Sequence, residues 1–148
     1  MEAIIFIGIQ ATGKSSFYKE RFLNTHVRIS LDLLNTRNKE LKFLNTCFET
    51  HSAFVVDNTN PSAEERKKYI DLAKENRYTL KGYYFSSEIK KAMKRNNARM
   101  GKEKIPEAGI RSCYAKLEIP ELSEGFDELY FVELTSDGFK VSDWKNEV

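Results

Sequence analysis

The stretch GIQATGKSS, residues 8–16, follows directly on the apolar run AIIFI, residues 3–7. Two glycines five apart, then lysine and serine, cannot continue that strand. Glycine weakens a strand, and Gly-Lys-Ser would carry a cation and a hydroxyl into a buried sheet. The pattern G-x-x-x-x-G-K-[ST] instead describes a loop whose bare backbone wraps tightly, so that successive N–H groups converge on one spot. KSSFYKERFL, from residue 14, can then open a helix, whose first turn presents unpaired donors and partial positive charge. Strand, glycine loop and helix in that order form a cradle for the phosphates of a nucleotide. The expected nucleotide contacts are Gly8, Gly13, Lys14, Ser15 and Ser16. Lys14 would reach the β- and γ-phosphates, and the Ser15 hydroxyl would help hold Mg2+. The alternative is a chance match in a glycine-containing turn, and the flanking strand and helix argue against it.

With 148 residues, 41% apolar and 31% charged, the chain is expected to form one soluble globular domain with its own core. No apolar run approaches the length of a membrane span. The N-terminal MEAIIFIG lacks a basic n-region and reads as a first strand, not a signal peptide. Cys47 and Cys113 lie far apart and have no close Cys or His partner. They are expected to be free thiols in a reducing, cytoplasmic setting. His26 and His51 are solitary and read as ordinary surface or core histidines. The net charge of +2 is unevenly placed: residues 81–104 hold eight basic and two acidic side chains, residues 118–148 nine acidic and two basic. The basic run is either a solvated helix face or positive charge set against phosphate.

Apolar runs recur between helical stretches. AIIFI (3–7), HVRIS (26–30), AFVVDN (53–58), YTLKGYYF (78–85) and ELYFVEL (128–134) read as strands. Residues 61–77 read as a helix capped by Asn60 with Pro61 in its first turn, and residues 86–100 as a helix capped by Ser86 or Ser87. Residues 106–119 and 32–52 also carry helical patterns. Alternating strands and helices argue an α/β fold, a parallel sheet with helices on both faces. GKEKIP (101–106) reads as a mobile loop. The tail TSDGFKVSDWKNEV reads as an acidic end to the domain, pinned by Phe139 and Trp144.

Asp57 ends the run AFVV, at the C-terminal edge of a strand, where a carboxylate can support Mg2+. The chain continues NTNP with no glutamate to activate water, which favours transfer to an acceptor over hydrolysis. Asp32 follows RIS at the end of the second strand. It can take the proton of an acceptor hydroxyl, or it can simply cap the next helix. Arg95 and Arg99 share one helix face and precede MGKEKIP, so they are either lid arginines that close over the γ-phosphate or exposed solubilising charge. Arg28, Arg37, Lys39 and Lys42 flank Asp32.

These pieces resemble the kinase module of 5′-polynucleotide kinases, both the phage type and the animal type fused to a phosphatase. The resemblance covers about residues 3–117 and rests on GIQATGKSS, RISLD, FVVDNTNPSAEERKKYI and KRNNARMGKEKIPEAGI. It implies a P-loop kinase fold, with a five-stranded parallel sheet in the order 2-3-1-4-5 and a helical lid at about residues 95–106. It implies ATP, Mg2+ and in-line transfer to a 5′-hydroxyl. It assigns Lys14 to the phosphates, Ser15 to Mg2+, Asp32 as general base, and Arg95 and Arg99 as lid arginines. In the phage type an arginine three residues after the base contacts the acceptor's phosphate. Here that position is Asn35, and Arg37 is the candidate substitute. The same module type also occurs in kinases of small molecules. The expectation is therefore an ATP-dependent kinase acting on a nucleic-acid 5′-OH end or on a small-molecule acceptor. A nucleotide-binding regulator without catalysis is disfavoured by the full set of reactive residues. No phosphatase segment is expected within the chain.

Overall fold

The structure, a computed structural model, describes residues 1–145. Strand β1 (Glu2–Ile7) lies in the middle of a sheet because its sequence is apolar on both faces, and Ile4 through Ile7 are fully buried. It is flanked by β3 (Phe54–Val56) and β4 (Thr79–Phe85), both parallel to it. Next come β2 (Val27–Ile29) beside β3 and β5 (Glu128–Thr135) beside β4, again parallel. Strands buried on both sides are what a parallel sheet with helices on each face requires. The five follow the order 2-3-1-4-5.

The sheet has one strand more than the sequence reading expected. β6 (Gly138–Asp143) pairs antiparallel with β5 and extends the order to β2-β3-β1-β4-β5-β6. The segment read as an acidic tail is thus a hairpin arm. Its turn is made by Thr135, which accepts from Asp137 N–H and donates to the Gly138 carbonyl, with Gly138 at φ 103°. Such an edge strand carries polar residues facing water, which masks the apolar alternation of Phe139 and Val141. Those two side chains pack onto the core beneath β5, while Trp144 meets the ring of Tyr84 edge-on at 5.8 Å. Residues 146–148 of that tail lie outside the described residues.

Helix α1 (Lys14–Arg21) packs on one face of the sheet. Phe17, on α1, meets Phe6 and Phe85 at ring distances of 5.8 and 5.4 Å. The opposite face carries α3 (Arg37–Glu49) and α4 (Ala63–Glu75) over Ile5, Ile29, Val56 and Leu80. The helix expected over residues 32–52 is two: α2 (Leu31–Leu34) stops at Asn35, whose φ of 69° cannot continue a right-handed helix. Helix α4 is capped by Ser62, not Asn60, through a reciprocal pair of bonds with Glu65. The remaining helices are α5 (Ile89–Asn97) and α6 (Glu107–Lys116), which pack together around Ala92, Ile110 and Cys113. Neither Ser86 nor Ser87 caps α5; its first residue follows Glu88. No helix among the described residues is long and apolar enough to cross a membrane. Cys47 and Cys113 are buried free thiols.

Candidate active site

The C-terminal ends of β1, β2 and β3 open onto the loop from Gly8 to Gly13. Two glycines are required there for different reasons. A Cβ on Gly8 would lie 3.0 Å from Phe85 Cβ, so only glycine lets the loop leave the sheet so close to β4. Gly13 has φ 96°, a backbone that side chains resist, and a Cβ there would sit 2.7 Å from the Phe139 ring. The loop is braced from both sides. Gly8 N–H donates to the Thr59 carbonyl at 3.0 Å, and Ile9 N–H donates to Ser87 Oγ at 3.2 Å. Beyond that point the amides of residues 10–16 donate to no protein acceptor among the described residues. A set of free, converging donors at a helix N-terminus fits a chain of phosphates.

Lys14 is buried, and its Nζ donates to the carbonyls of Gly8 at 2.9 Å and Ile9 at 2.6 Å. Burial lowers its pKa from the ordinary lysine value to about 8, against the pull of Asp57. Arg99 adds to the lowering, and Asp32 works against it. These charged groups from three separate segments therefore share one electrostatic field with Lys14.

Ser15 Oγ donates to Asp57 Oδ2 at 3.0 Å. A hydroxyl and a carboxylate side by side are hard oxygen ligands. Mg2+ in nucleotide sites uses only one or two protein side chains and takes the rest from phosphate and water. The pair fits that ion. Arg28, in the middle of β2, also reaches it: its Nε lies 2.8 Å from Asp57 Oδ2 and its Nη2 donates to Ser15 Oγ at 3.0 Å. The sequence shows Arg28 only as one more basic residue near Asp32. Its placement depends on strand alternation, which turns Ile29 to the opposite face.

Asp32 lies exposed in the first turn of α2. The cap position of that helix is Ser30, and no side chain caps it. The loop carrying Asp32 is tied down by Leu31 N–H, which donates to Asn58 Oδ1 at 2.9 Å. Asn58 Nδ2 in turn donates to the buried Glu40 at 3.0 Å. Glu40 also accepts from Tyr69 Oη at 2.9 Å and pairs with Arg37 at 3.2 Å and Lys68 at 3.7 Å. Burial and the Glu40 charge push the Tyr69 phenol well above its ordinary pKa. One arm of the Arg37 guanidinium is thus spent on Glu40 and Tyr69, though half of that side chain faces water.

Arg95 extends from α5 to the Ala11 carbonyl at 3.2 Å, over the glycine loop. Arg99 lies after the helix and donates to the Glu103 carbonyl at 3.3 Å. The segment between them and α6 is held by Asn96, fully buried, which exchanges two hydrogen bonds with the Ile105 backbone at 2.6 and 2.8 Å.

Several supporting residues are not legible as such in the sequence. Arg66 is fully buried; it donates to the Asn60 and Pro61 carbonyls and forks onto both oxygens of Glu124. Asn60, at φ 44°, donates to the Phe6 carbonyl at 2.8 Å. Together they fix the NTNP turn against β1, and through Thr59 against Gly8. An asparagine, a residue type that readily takes a positive φ, is the one signal that NTNP itself offers.

Comparison with known proteins bears on the fold and on the sequence. No protein-family model matches the chain. It is 27% identical over 129 residues to a bifunctional polynucleotide phosphatase/kinase of Schizosaccharomyces pombe, which takes in 84% of this chain and 32% of that protein. A relative from Acanthamoeba polyphaga mimivirus is 29% identical over 153 residues, covering 97% of this chain and 36% of its own length. The chain therefore spans about a third of the length of these curated relatives. Among solved structures it superposes on Chaetomium thermophilum Kti12, determined with ADP-AlF3, at a TM-score of 0.63 and 15% identity, covering 88% of both chains. It superposes on a gluconokinase from Sinorhizobium meliloti at 0.62 and 17% identity, covering 88% of this chain and 82% of that one. The fold is that of the P-loop kinases, and the module is polynucleotide-kinase-like in sequence.

Proposed function

We propose that this module is an ATP- and Mg2+-dependent kinase that transfers the γ-phosphate to the 5′-hydroxyl of a polynucleotide. One observation carries the reading: Lys14, the Ser15–Asp57 pair and Asp32 meet at a single sheet edge, beneath the arginines of residues 95–99. Lys14 turns from the loop carbonyls to the β- and γ-phosphates, and the free amides of residues 10–16 hold the phosphate chain. Ser15 and Asp57 hold Mg2+, which when bound neutralises charge on the phosphate oxygens. Asp32 accepts the proton of the attacking hydroxyl. Arg95 and Arg99 stabilise the charge spread over the transferring group and exclude water. The sequence likeness to polynucleotide phosphatase/kinases supports the acceptor, and the free thiols suit a cytoplasmic setting.

A second reading is a small-molecule kinase. It is favoured by one specific observation: Asn35 holds no guanidinium, and Arg37 already serves Glu40 and Tyr69.

The test is to offer labelled ATP and Mg2+ with 5′-OH oligonucleotides beside a panel of sugars and nucleosides, over a range of salt. A polynucleotide acceptor brings several phosphates whose counterions are released on binding. Its KM then rises steeply with salt, and more steeply for longer oligonucleotides, while that for ATP rises less. Oligonucleotides left unphosphorylated at low salt, or a flat acceptor KM, reject the first reading. Transfer to a panel compound establishes the second.

A further inference from the structure

Arg28 occupies a position that the phosphotransfer reading leaves without a role. Its guanidinium forks across the same two oxygens assigned to Mg2+, with Nε 2.8 Å from Asp57 Oδ2 and Nη2 3.0 Å from Ser15 Oγ. Asp57 Oδ2 then accepts from both Arg28 and Ser15, while its side chain is only 2% exposed. The Arg28 side chain is 27% exposed, so its head has an open path to water. We propose that Arg28 is a resident cation on the Ser15–Asp57 pair, holding both oxygens until a divalent ion brought by nucleotide displaces it. The inference rests on the nucleotide reading above.

Three physical points support it. Without a counter-charge Asp57 would be a buried carboxylate, which is expensive, and the guanidinium supplies the charge in a planar fork that matches two oxygen acceptors. Mg2+ binds oxygen at about 2.0–2.1 Å, so ion and guanidinium would crowd the same lone pairs with like charge. The guanidinium carries its charge as a fixed part of the chain, so a competing cation must displace it to reach both oxygens. The chain alone therefore takes up divalent ions poorly. Nucleotide supplies the missing negative charge, and metal and nucleotide enter together.

The test uses Mn2+ as the probe, followed by electron paramagnetic resonance on the protein with ADP, beside calorimetric titration of ADP without metal. Arg28→Met, which keeps the stem and removes the charge, should bind Mn2+ in the ADP complex about tenfold or more tightly than the parent. That is the fold-change equivalent to one charge-assisted hydrogen bond no longer broken. Arg28→Lys, a cation without the fork, should fall between them. In the parent protein, the Arg28 Nε–H resonance, assigned by its loss in Arg28→Lys, should be protected from exchange before Mg2+·ADP is added and exposed after. Unchanged or weaker Mn2+ binding in Arg28→Met, with metal-free ADP binding intact, overturns the proposal alone. An Nε–H that stays protected in the Mg2+·ADP complex does the same. Loss of ADP binding in the parent as well overturns the nucleotide reading and this proposal with it.

Discussion

Arg66 and Glu124 form a two-point fork, Nε to Oε1 at 2.8 Å and Nη2 to Oε2 at 3.1 Å, with the guanidinium wholly buried. The third nitrogen of that guanidinium holds the carbonyls of Asn60 and Pro61. Removing the arginine leaves Glu124 with only the Glu121 N–H and frees two buried carbonyls. Arg66→Ala is expected to lose about 3–5 kcal/mol of stability, as broken buried ion pairs do. Arg66→Met, which refills the volume, should lose less. Urea unfolding checks both, and an Arg66→Ala midpoint equal to the parent's would refute the expectation.

Asp32→Asn should keep ATP binding and stability while transfer falls by orders of magnitude. Asp32 is exposed, and the cap position of its helix belongs to Ser30. Asparagine therefore gives up little structure, but its amide cannot take a proton. Single-turnover rates at saturating ATP decide it; near-parental rates would remove Asp32 as base.

Lys14→Met should abolish transfer yet stabilise the nucleotide-free protein at neutral pH. The folded-state pKa of about 8 lies below the ordinary 10.5, because burial disfavours the charged form. Folding therefore releases a proton between those values, and stability rises with pH across the window. The burial penalty is full below about pH 8 and fades towards 10.5. The gain in Lys14→Met is at most about 3 kcal/mol at pH 7 and should shrink as pH climbs through that range. Thermal melts of parent and variant at pH 7 and pH 10 measure it; a gain that does not shrink would refute the assignment of the penalty to charge.

Phe139→Ala should weaken nucleotide binding without unfolding the sheet. The ring lies against Gly13 and meets Phe17 at 5.1 Å, so it backs both the loop and the first helix. Because the ring is only half-buried, a loss of about 1–2 kcal/mol is expected, below that of a fully buried aromatic. Chemical denaturation gives that loss, and calorimetry with ADP gives the change in affinity. Unaltered affinity would show that the loop holds its shape without the ring.

What the sequence discloses and what it hides divide along physical lines. The glycine loop is legible because its geometry forbids side chains at two positions and leaves a spacing behind. β1 and β3 are legible because burial on both faces demands continuous apolar runs, while β2, β4 and β5, less fully buried, are marked by β-branched and aromatic residues between helical stretches. β6 escapes notice because an edge strand wears polar residues on its open side, so GFKVSD reads as a tail. Arg28, Arg66 and Glu40 escape for another reason. Each is an ordinary charged residue with a decisive partner at least 29 positions away: Asp57 for Arg28, Glu124 for Arg66 and Tyr69 for Glu40. Nothing local distinguishes a clamped guanidinium from a solvated one. The roles proposed for Lys14, Asp32, Arg95 and Arg99 draw on chemistry and resemblance, and the geometry supplies their proximity.

The contact of Phe139 with Gly13 joins two segments 126 positions apart in the sequence. A ribosome therefore makes the glycine loop well before the ring that backs it. A domain generally folds as a unit. The loop of a nascent polypeptide thus has no ring behind it until the hairpin has been translated.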